Sequence, residues 1–398
     1  MQTDDYAPYL GELAQADALR TRKVVQSPQG ARMVVNGRET IAFCNNDYLG
    51  LAAHPRLIAA ASQAFEQYGF GGGASHFVSG HSAPHYALEA QLASFMGMES
   101  ALFFSSGYLA NIGILSALAD RHTTIFADKL NHACLIDGAI LSRAKTVRYA
   151  HCDMDALRTA LENSDANSPR IIATDAVFSM DGDIAPLNLI LDLAEEFDAL
   201  LVIDDAHGFG VLGKSGRGTL QYFTLPERLV KKRVVYMATL GKAAGGYGAF
   251  VAGAATVVEW ILQSARSYIF TTATPPAIAA ALSQSLHIID EEPQRRAHLH
   301  MLIGLFQQSL ALKNFKLLPS ETAIQPIIIG SNHDVIAVAD ALMSRGFWVP
   351  AIRPPTVPED TARLRVSLNA AHSVDDVMDL IMALVDIDAE WENEGAGQ

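Results

Sequence analysis

The sequence predicts an α/β protein with a mostly parallel central sheet that carries helices on both faces, followed by a smaller C-terminal α+β domain. The first observation behind this prediction is that short apolar runs alternate with segments of helical periodicity through the middle of the chain. The second is that the pattern changes after Pro275 and Pro276 to helices and then alternating strands. Continuous apolar strands that alternate with helices are typical of parallel sheets buried on both faces.

The strands of the central sheet are predicted from runs of β-branched, aromatic and aliphatic residues, namely Ala101–Phe104, Thr123–Phe126, Thr146–Ala150, Ile171–Phe178, Ala199–Ile203 and Arg233–Ala238. Leu187–Phe197 has apolar residues at helical spacing between two of them. The smaller domain is predicted to contain strands at Ala323–Gly330, Gly346–Ile352 and Ala362–Leu368. We therefore expect an N-terminal arm at 1–44, a large α/β domain at 45–280 and a small α+β domain at 281–398.

Composition excludes several classes of function. The chain has 398 residues, of which 50% are hydrophobic, and its net charge of -14 argues against general binding to nucleic acid or to anionic membranes. Its three cysteines are scattered and lack C-x-x-C spacing, so neither a disulfide framework nor a metal site is predicted from them. Free thiols and the absence of a secretory signal pattern in "MQTDDYAPYL" indicate a cytoplasmic protein.

The stretch "ATLGKAAGGYGAF", from Ala238 to Phe250, sets Lys242 among glycines and small residues. It is not a phosphate loop of the G-x-x-x-x-G-K-[ST] type, because Ala243 follows the lysine and Tyr236 stands at the first glycine position. A membrane helix is disfavoured by the glycines and by the central lysine. A lysine in a tight apolar pocket can instead lose its proton and act as a nucleophile toward an aldehyde.

Polar residues follow five of the predicted strands at their carboxyl ends, where parallel sheets bind ligands. They stand in the segments "SSGYLAN", "ADKLNHACLIDGA", "SMDGD", "DDAHGFG" and "TLGK". The first opens a helix after Ser105 and Ser106, so its free N–H groups form an anion site suited to a phosphate. The others contribute His132, Ser179, Asp204, His207, Thr239 and Lys242.

This inventory matches the needs of pyridoxal 5'-phosphate (PLP), which are a phosphate site, a lysine for the Schiff base and a carboxylate at the ring nitrogen. Taken alone, Asp204 and His207 would equally fit a metal site or a capped strand end. Lys242, which follows the next predicted strand, favours a PLP site over these two interpretations. Asp181 and Asp183 in "SMDGD" are interpreted as turn residues rather than as cation ligands.

The chain resembles the α-oxoamine synthase family of PLP-dependent enzymes, which have the transferase fold called fold type I. The resemblance lies in eight segments that run in family order: "NNDYLGLAAHP", "SSGYLAN", "NHACLIDGA", "VFSMDGD", "DDAHGFGVLG", "TLGKAAGGYGA", "TTATPPA" and "AIRPPTVPEDTARLRVSLNAAH". It implies that the backbone N–H groups of Gly107 and Tyr108 hold the cofactor phosphate, with a hydroxyl from Thr239. It also implies that Lys242 forms the Schiff base and that His132 stacks on the ring.

The same resemblance implies that Asp204 pairs with the ring nitrogen and that His207 and Ser179 lie near the phenolic oxygen. Phe209 and Thr274 depart from the family pattern. Neither departure removes a catalytic group, and the effect of the two residues on the shape of the acyl pocket is left open by the sequence.

For the substrates, the resemblance implies that Arg353 binds the amino-acid carboxylate, a task suited to a bidentate guanidinium. Thr356 and Arg20 are expected to contact substrate, with Arg20 at the far carboxylate of the acyl chain. The family also implies a homodimer in which Thr272 reaches the phosphate bound to the partner.

The implied reaction is a decarboxylative Claisen-type condensation of L-alanine with a pimeloyl thioester, carried by coenzyme A or by acyl carrier protein, in biotin biosynthesis. Lys242 is expected to remove the α-proton, and Lys242 or His132 to return one after carbon dioxide is lost. Within the family, the alternatives are glycine with acetyl-CoA, glycine with succinyl-CoA, and serine with a long-chain acyl thioester. A different alternative is a non-catalytic binding subunit.

Overall fold

The computed structural model describes residues 3–395. The chain divides into two compact units. The large unit comprises Leu51–Ser179 and Ile184–Arg296, and the small unit comprises Met1–Gly50, Met180–Asp183 and Ala297–Gln398. The predicted arm and the predicted boundaries at 45 and 281 stay predictions.

The strands, in chain order, are β1 (Arg32–Val35), β2 (Arg38–Ala42), β3 (Ser100–Phe104), β4 (Thr124–Asp128), β5 (Lys145–Tyr149), β6 (Arg170–Asp175), β7 (Ala199–Asp204), β8 (Val234–Thr239), β9 (Ala249–Gly253), β10 (Lys316–Leu317), β11 (Ile324–Gly330), β12 (Phe347–Trp348), β13 (Ala351–Ile352) and β14 (Ala362–Ser367).

The α-helices are α1 (Ala7–Gln15), α2 (Pro55–Tyr68), α3 (Ala83–Met96), α4 (Gly107–Leu118), α5 (Ala133–Ser142), α6 (Met154–Glu162), α7 (Leu187–Glu196), α8 (Thr219–Tyr222), α9 (Glu227–Arg233), α10 (Ala255–Ser264), α11 (Arg266–Ile269), α12 (Pro276–Glu291), α13 (Pro293–Ser309), α14 (Asn332–Ser344) and α15 (Val374–Gly395). A 3₁₀ turn spans Thr3–Tyr6 and a π-helical turn spans His76–Gly80. Among the described helices, none has both the length and the apolar character needed to span a membrane.

The large unit contains a seven-stranded sheet in the order β3-β9-β8-β7-β6-β4-β5. Strand β9 runs antiparallel to both of its neighbours, and the remaining pairs are parallel. Every residue of β4 and β9 is buried, and so is every residue of β8 except Thr239. This burial is expected for strands covered on both faces. The predicted α/β class and mostly parallel sheet are therefore confirmed.

The small unit contains two sheets. Strands β1, β2 and β12 form one, and β10, β11, β14 and β13 form the other. In the second sheet all pairs are antiparallel, and β14 is buried along its whole length. The C-terminal α+β character predicted from the alternating strands is confirmed by these elements.

The structure differs from the predicted elements at four places. Strand β9 was not predicted, because its five residues follow directly on the glycines of the Lys242 loop. The predicted strand Ile171–Phe178 ends at Asp175. The predicted strand Gly346–Ile352 is divided into β12 and β13, because Pro350 between them has no N–H for a ladder hydrogen bond. The predicted N-terminal arm contains α1, β1 and β2.

Candidate active site

The predicted cofactor residues all lie in the large unit, at the carboxyl edge of its sheet. Asp204 is the last residue of β7 and Thr239 is the last residue of β8. His132 lies between β4 and α5, and Gly107 begins α4 with two residues between it and the end of β3. Parallel strands that end at one edge place these residues together, as the sequence predicted.

The start of α4 has the geometry of an anion site. Ser106 caps the helix, and its Oγ accepts a hydrogen bond of 3.3 Å from the Leu109 N–H. The N–H groups of Gly107 and Tyr108 are in the first turn, where they have no acceptor within the helix. A Cβ at Gly107 would stand 3.9 Å from Thr239 Oγ1, so the hydroxyl of Thr239 adjoins this turn. The three groups predicted to bind the phosphate thus lie close together.

Asp204 is held by donors that fix both of its oxygens. It is buried, and its Oδ1 accepts from the Ala206 N–H at 2.9 Å. Its Oδ2 accepts from Asn111 Nδ2, in α4, at 2.6 Å. Asn111 is fully buried and also donates to Cys134 Sγ at 3.0 Å. Two donors of this kind stabilise the charged form of a buried carboxylate.

His132 caps α5 and is connected to the same group of residues. Its Nδ1 accepts from the Cys134 N–H at 3.3 Å and lies 2.8 Å from Cys134 Sγ. Its backbone N–H donates to Asp175 Oδ2 at 2.6 Å. Desolvation lowers the pKa of His132, the positive charge of Lys242 lowers it further, and Asp204 opposes both. Lys242 and Asp204 are therefore both close enough to the His132 ring to act on it electrostatically.

Asp175 lies beside Asp204 in the sheet and is its register partner. Burial raises the pKa of Asp175 well above its usual range, and the charge of Asp204 raises it further. The His132 N–H and the charge of Lys242 oppose this shift without cancelling it. This raised pKa favours the protonated form of Asp175.

Lys242 contacts His207 directly. Its Nζ is 2.9 Å from His207 Nε2, and His207 is buried while Lys242 is half-buried. This distance allows a proton to move between the amine and the imidazole. Ser179 is half-buried and follows Phe178 beyond β6, at the same edge of the sheet.

The glycines around Lys242 are required by close backbone packing. Gly245 has φ +67°, and its N–H donates to the Lys242 carbonyl at 2.8 Å. A Cβ at Gly245 would stand 2.4 Å from the carbonyl carbon of Leu51 and 2.6 Å from the nitrogen of Ala52. A residue with a side chain could not occupy this position without moving the loop that carries the lysine.

The three predicted substrate residues lie in the small unit, and there they line one cavity of about 500 Å³. Arg20 Nη2 donates to Thr356 Oγ1 at 3.5 Å. The Thr356 N–H donates to the Arg353 carbonyl at 3.1 Å, and the Arg353 guanidinium donates to the Asp17 carbonyl. Lys23 also lines the cavity, which therefore presents three cationic side chains suited to carboxylates.

Phe209 and Thr274, the two departures from the family pattern, have structural contacts in the large unit. Phe209 is buried, with Phe95 and Phe250 packed edge-on at ring distances of 5.7 and 5.2 Å. Thr274 is buried, and its Oγ1 is 3.1 Å from His85 Nε2. Packing and hydrogen bonding in this unit account for both side chains.

Asn111, Cys134 and Asp175 were given no role from the sequence, although the structure places them next to the predicted residues. Asn111 had one available signal, since it is the only amide side chain in the mostly apolar segment "YLANIGILSAL". Asp175 is similarly an acid within the apolar run "IIATDAVF". Cys134 gave no signal, because a lone buried cysteine usually packs as a small apolar residue.

The comparison with known families agrees with this geometry. Residues 38–384 match the family model described as aminotransferase class I and II. The chain belongs to the aminotransferase class I and II family.

Individual relatives within the aminotransferase class I and II family show which of its members the chain is similar to. The 8-amino-7-oxononanoate synthase of Aromatoleum aromaticum (strain DSM 19018 / LMG 30748 / EbN1) is 54% identical, over 96% of this chain and 97% of its own length. The crystal structure of 8-amino-7-oxononanoate synthase from Francisella tularensis is 33% identical, with a TM-score of 0.73 over 89% of this chain and 98% of its own.

A serine palmitoyltransferase from S. paucimobilis, solved with a bound PLP–myriocin aldimine, has a TM-score of 0.90 and 27% identity over 95% of this chain and 96% of its own. Serine palmitoyltransferase is an α-oxoamine synthase, so the predicted family and fold type I are confirmed within the aminotransferase class I and II family.

Proposed function

We propose that the protein is a PLP-dependent acyltransferase with the activity of an 8-amino-7-oxononanoate synthase, which joins L-alanine to a pimeloyl thioester and releases carbon dioxide and a thiol. Identity of 54% across nearly the whole chain to a relative of that name supports this activity. The observation that carries it is the 2.9 Å contact between Lys242 Nζ and His207 Nε2, beside the buried and hydrogen-bonded Asp204.

The residues of the large unit fit PLP. The N–H groups at the start of α4 and the adjoining Thr239 hydroxyl would hold its phosphate, and Asp204 would hold its ring nitrogen in the protonated form. A missing Cβ at Gly107 keeps the space beside Thr239 open. When bound, PLP supplies an aldehyde that captures amines and a ring that accepts the negative charge formed at the substrate α-carbon.

Proton transfer in the proposed reaction falls to Lys242. Its amine must be uncharged to remove the α-proton of alanine, and His207 is close enough to take a proton from it or return one. Asn111 and the Ala206 N–H both donate to the Asp204 carboxylate, which supports its proposed place at the ring nitrogen. His132 is proposed to stack on the ring, and Ser179 with His207 to bind the phenolic oxygen.

Substrate recognition is proposed for Arg353, Thr356 and Arg20. Arg353 would pair with the carboxylate of alanine through its planar guanidinium, and Arg20 with the distal carboxylate of the pimeloyl chain. Their shared cavity, together with the hydrogen bond from Arg20 to Thr356, supports this proposal. The acyl carrier is proposed to be coenzyme A or acyl carrier protein. A cytoplasmic homodimer, in which Thr272 approaches the partner's phosphate, completes the proposal.

The second candidate is another α-oxoamine synthase activity, which the likeness to serine palmitoyltransferase favours. A panel of alanine, glycine and serine against pimeloyl, acetyl, succinyl and long-chain acyl thioesters separates the two, scored by release of thiol and carbon dioxide. We expect turnover with alanine and a pimeloyl donor. Efficient turnover of glycine or serine with another donor, without the alanine reaction, would replace the proposed substrates.

Labelling tests the cofactor itself and the alternative of a non-catalytic subunit. The protein supplied with PLP should be yellow, and borohydride reduction should leave the mass of the cofactor on the peptide that contains Lys242. The Lys242→Ala variant is the control and should remain unlabelled. A colourless wild-type protein that is not labelled would favour the binding subunit.

A further inference from the structure

Three side chains of different chemistry meet at the carboxyl ends of β4 and β5, in the large unit. Asp128 is the last residue of β4, and His151 and Cys152 follow β5 by two and three residues. Asp128 Oδ1 and His151 Nδ1 are 3.0 Å apart. One carboxylate oxygen, one imidazole nitrogen and the Cys152 sulfur of this group lie within 4.8 Å of one another.

We propose that Asp128, His151 and Cys152 form a binding site for a thiophilic divalent cation of the Zn²⁺ class. A carboxylate, an imidazole and a thiolate are the three protein groups that bind zinc. Three such ligands leave a fourth tetrahedral position for water or for another small ligand. Two negative ligands would also balance the charge of a divalent ion.

The distances fit such an ion. Bonds of about 2.0–2.2 Å to nitrogen and oxygen in a tetrahedral site place those two atoms roughly 3.3–3.6 Å apart. The separation of 3.0 Å between Asp128 Oδ1 and His151 Nδ1 is a few tenths of an ångström shorter, so a small adjustment would admit the ion. A cation could therefore bind between these two atoms in place of their direct hydrogen bond, with the Cys152 sulfur close enough to be a third ligand.

The surroundings of the site hold the ligands in place. The Leu130 N–H donates to Asp128 Oδ1 at 2.8 Å, and the Cys152 N–H donates to Asp128 Oδ2 at 2.8 Å. The His151 ring packs edge-on against Phe178, with centroids 4.3 Å apart and planes at 88°. Supporting contacts of this kind orient metal ligands and increase affinity.

The site is also reachable from solvent. Asp128 is buried, whereas His151 and Cys152 are half-buried. Asp128 is thus shielded from solvent, while His151 and Cys152 lie nearer the surface of the protein. An ion can enter from the side of the softer ligands without unfolding of the sheet edge.

The test measures retention of Zn²⁺ by the purified holoenzyme after equilibrium dialysis, with metal counted per chain. We expect one ion per chain in the wild type, and a loss of affinity of roughly tenfold or more in Cys152→Ser and in His151→Gln, as for changes at other metal sites. Cys44→Ser is the matched control, because burial raises the pKa of the Cys44 thiol to about 12 and makes it a poor ligand.

Two further measurements make the result decisive. Co²⁺ in place of Zn²⁺ should give the visible absorption of a tetrahedral thiolate site in the wild type and in Cys44→Ser, and should lose it in Cys152→Ser. Mg²⁺, which prefers oxygen ligands, should not be retained. The proposal would be overturned if the wild type retained no Zn²⁺, or if both ligand variants retained as much Zn²⁺ as the wild type. It would also be overturned if the wild type retained as much Mg²⁺ as Zn²⁺. Circular dichroism of each variant confirms that it is folded.

Discussion

The Glu89→Gln substitution should increase stability, and only above acid pH. The Glu89 side chain is 15% exposed, and its Oε1 accepts from the Phe103 N–H at 2.9 Å. Burial raises the pKa of Glu89 from 4.5 to about 7, and the Phe103 N–H opposes the shift only in part. His81 offers little compensation, because burial lowers its own pKa and its Nε2 is 3.9 Å away.

The sign and size of the effect follow from this shift. A carboxyl group whose pKa is raised in the folded state contributes its full stability below pH 4.5 and loses it as the pH rises through about 7. The loss amounts to about 3 kcal/mol, since each pKa unit corresponds to about 1.4 kcal/mol. Glutamine cannot ionise, and its carbonyl oxygen can still accept a hydrogen bond from the Phe103 N–H. The variant therefore does not lose this stability as the pH rises.

Urea unfolding of wild type and Glu89→Gln at several pH values measures the difference in unfolding free energy. We expect this difference to grow by about 2 to 3 kcal/mol in favour of the variant between about pH 5 and about pH 8. Glu66→Gln, at an exposed position of α2, is the control and should show no such growth. A difference that does not change with pH would refute the reasoning, because it would mean that Glu89 is not desolvated.

Two other predictions concern the candidate active site. Asn111→Ala should weaken PLP binding roughly tenfold or more, because a hydrogen bond to a charged group contributes about 1.5–3 kcal/mol. Fluorescence titration measures the PLP affinity, and Ser116→Ala on the same helix is the control. Equal affinities of the two variants would contradict the prediction. Gly245→Ala should lower the free energy of unfolding by more than the about 1–2 kcal/mol expected for left-handed strain alone. Gly73→Ala is the control in urea unfolding, since Gly73 has φ +74° with no atom within 4 Å of its added Cβ. If both variants lost the same free energy of unfolding, the Leu51 backbone would have moved to make room for the new Cβ.

Much of the central sheet could be predicted from the sequence. The six predicted strands correspond to β3 through β8, because each is rich in β-branched, aromatic or aliphatic residues. Strand β9 could not be predicted, since the small residues of "AFVAG" carry no periodicity and one of its two partners, β3, lies far from it in the chain. Strand pairing of this kind is a property of the assembled sheet.

The candidate site was predictable where strand ends determine it. His132, Asp204, His207, Thr239 and Lys242 follow recognisable apolar strands, so their common edge could be inferred before any coordinates. Their roles stay predictions. Contacts across the large unit, such as that of Asn111 with Asp204 over 93 residues, could not be inferred.

The sequence by itself determined the class of fold and the chemical inventory, because hydrophobic periodicity and residue type are local properties that can be read along the chain. The tertiary structure alone decided which side chains meet. It brought Arg20 within 3.5 Å of Thr356 across 336 residues, and it placed Asp128, His151 and Cys152 together although their spacing matches no metal motif. Such contacts depend on how whole elements pack in three dimensions, and no short stretch of sequence specifies that packing.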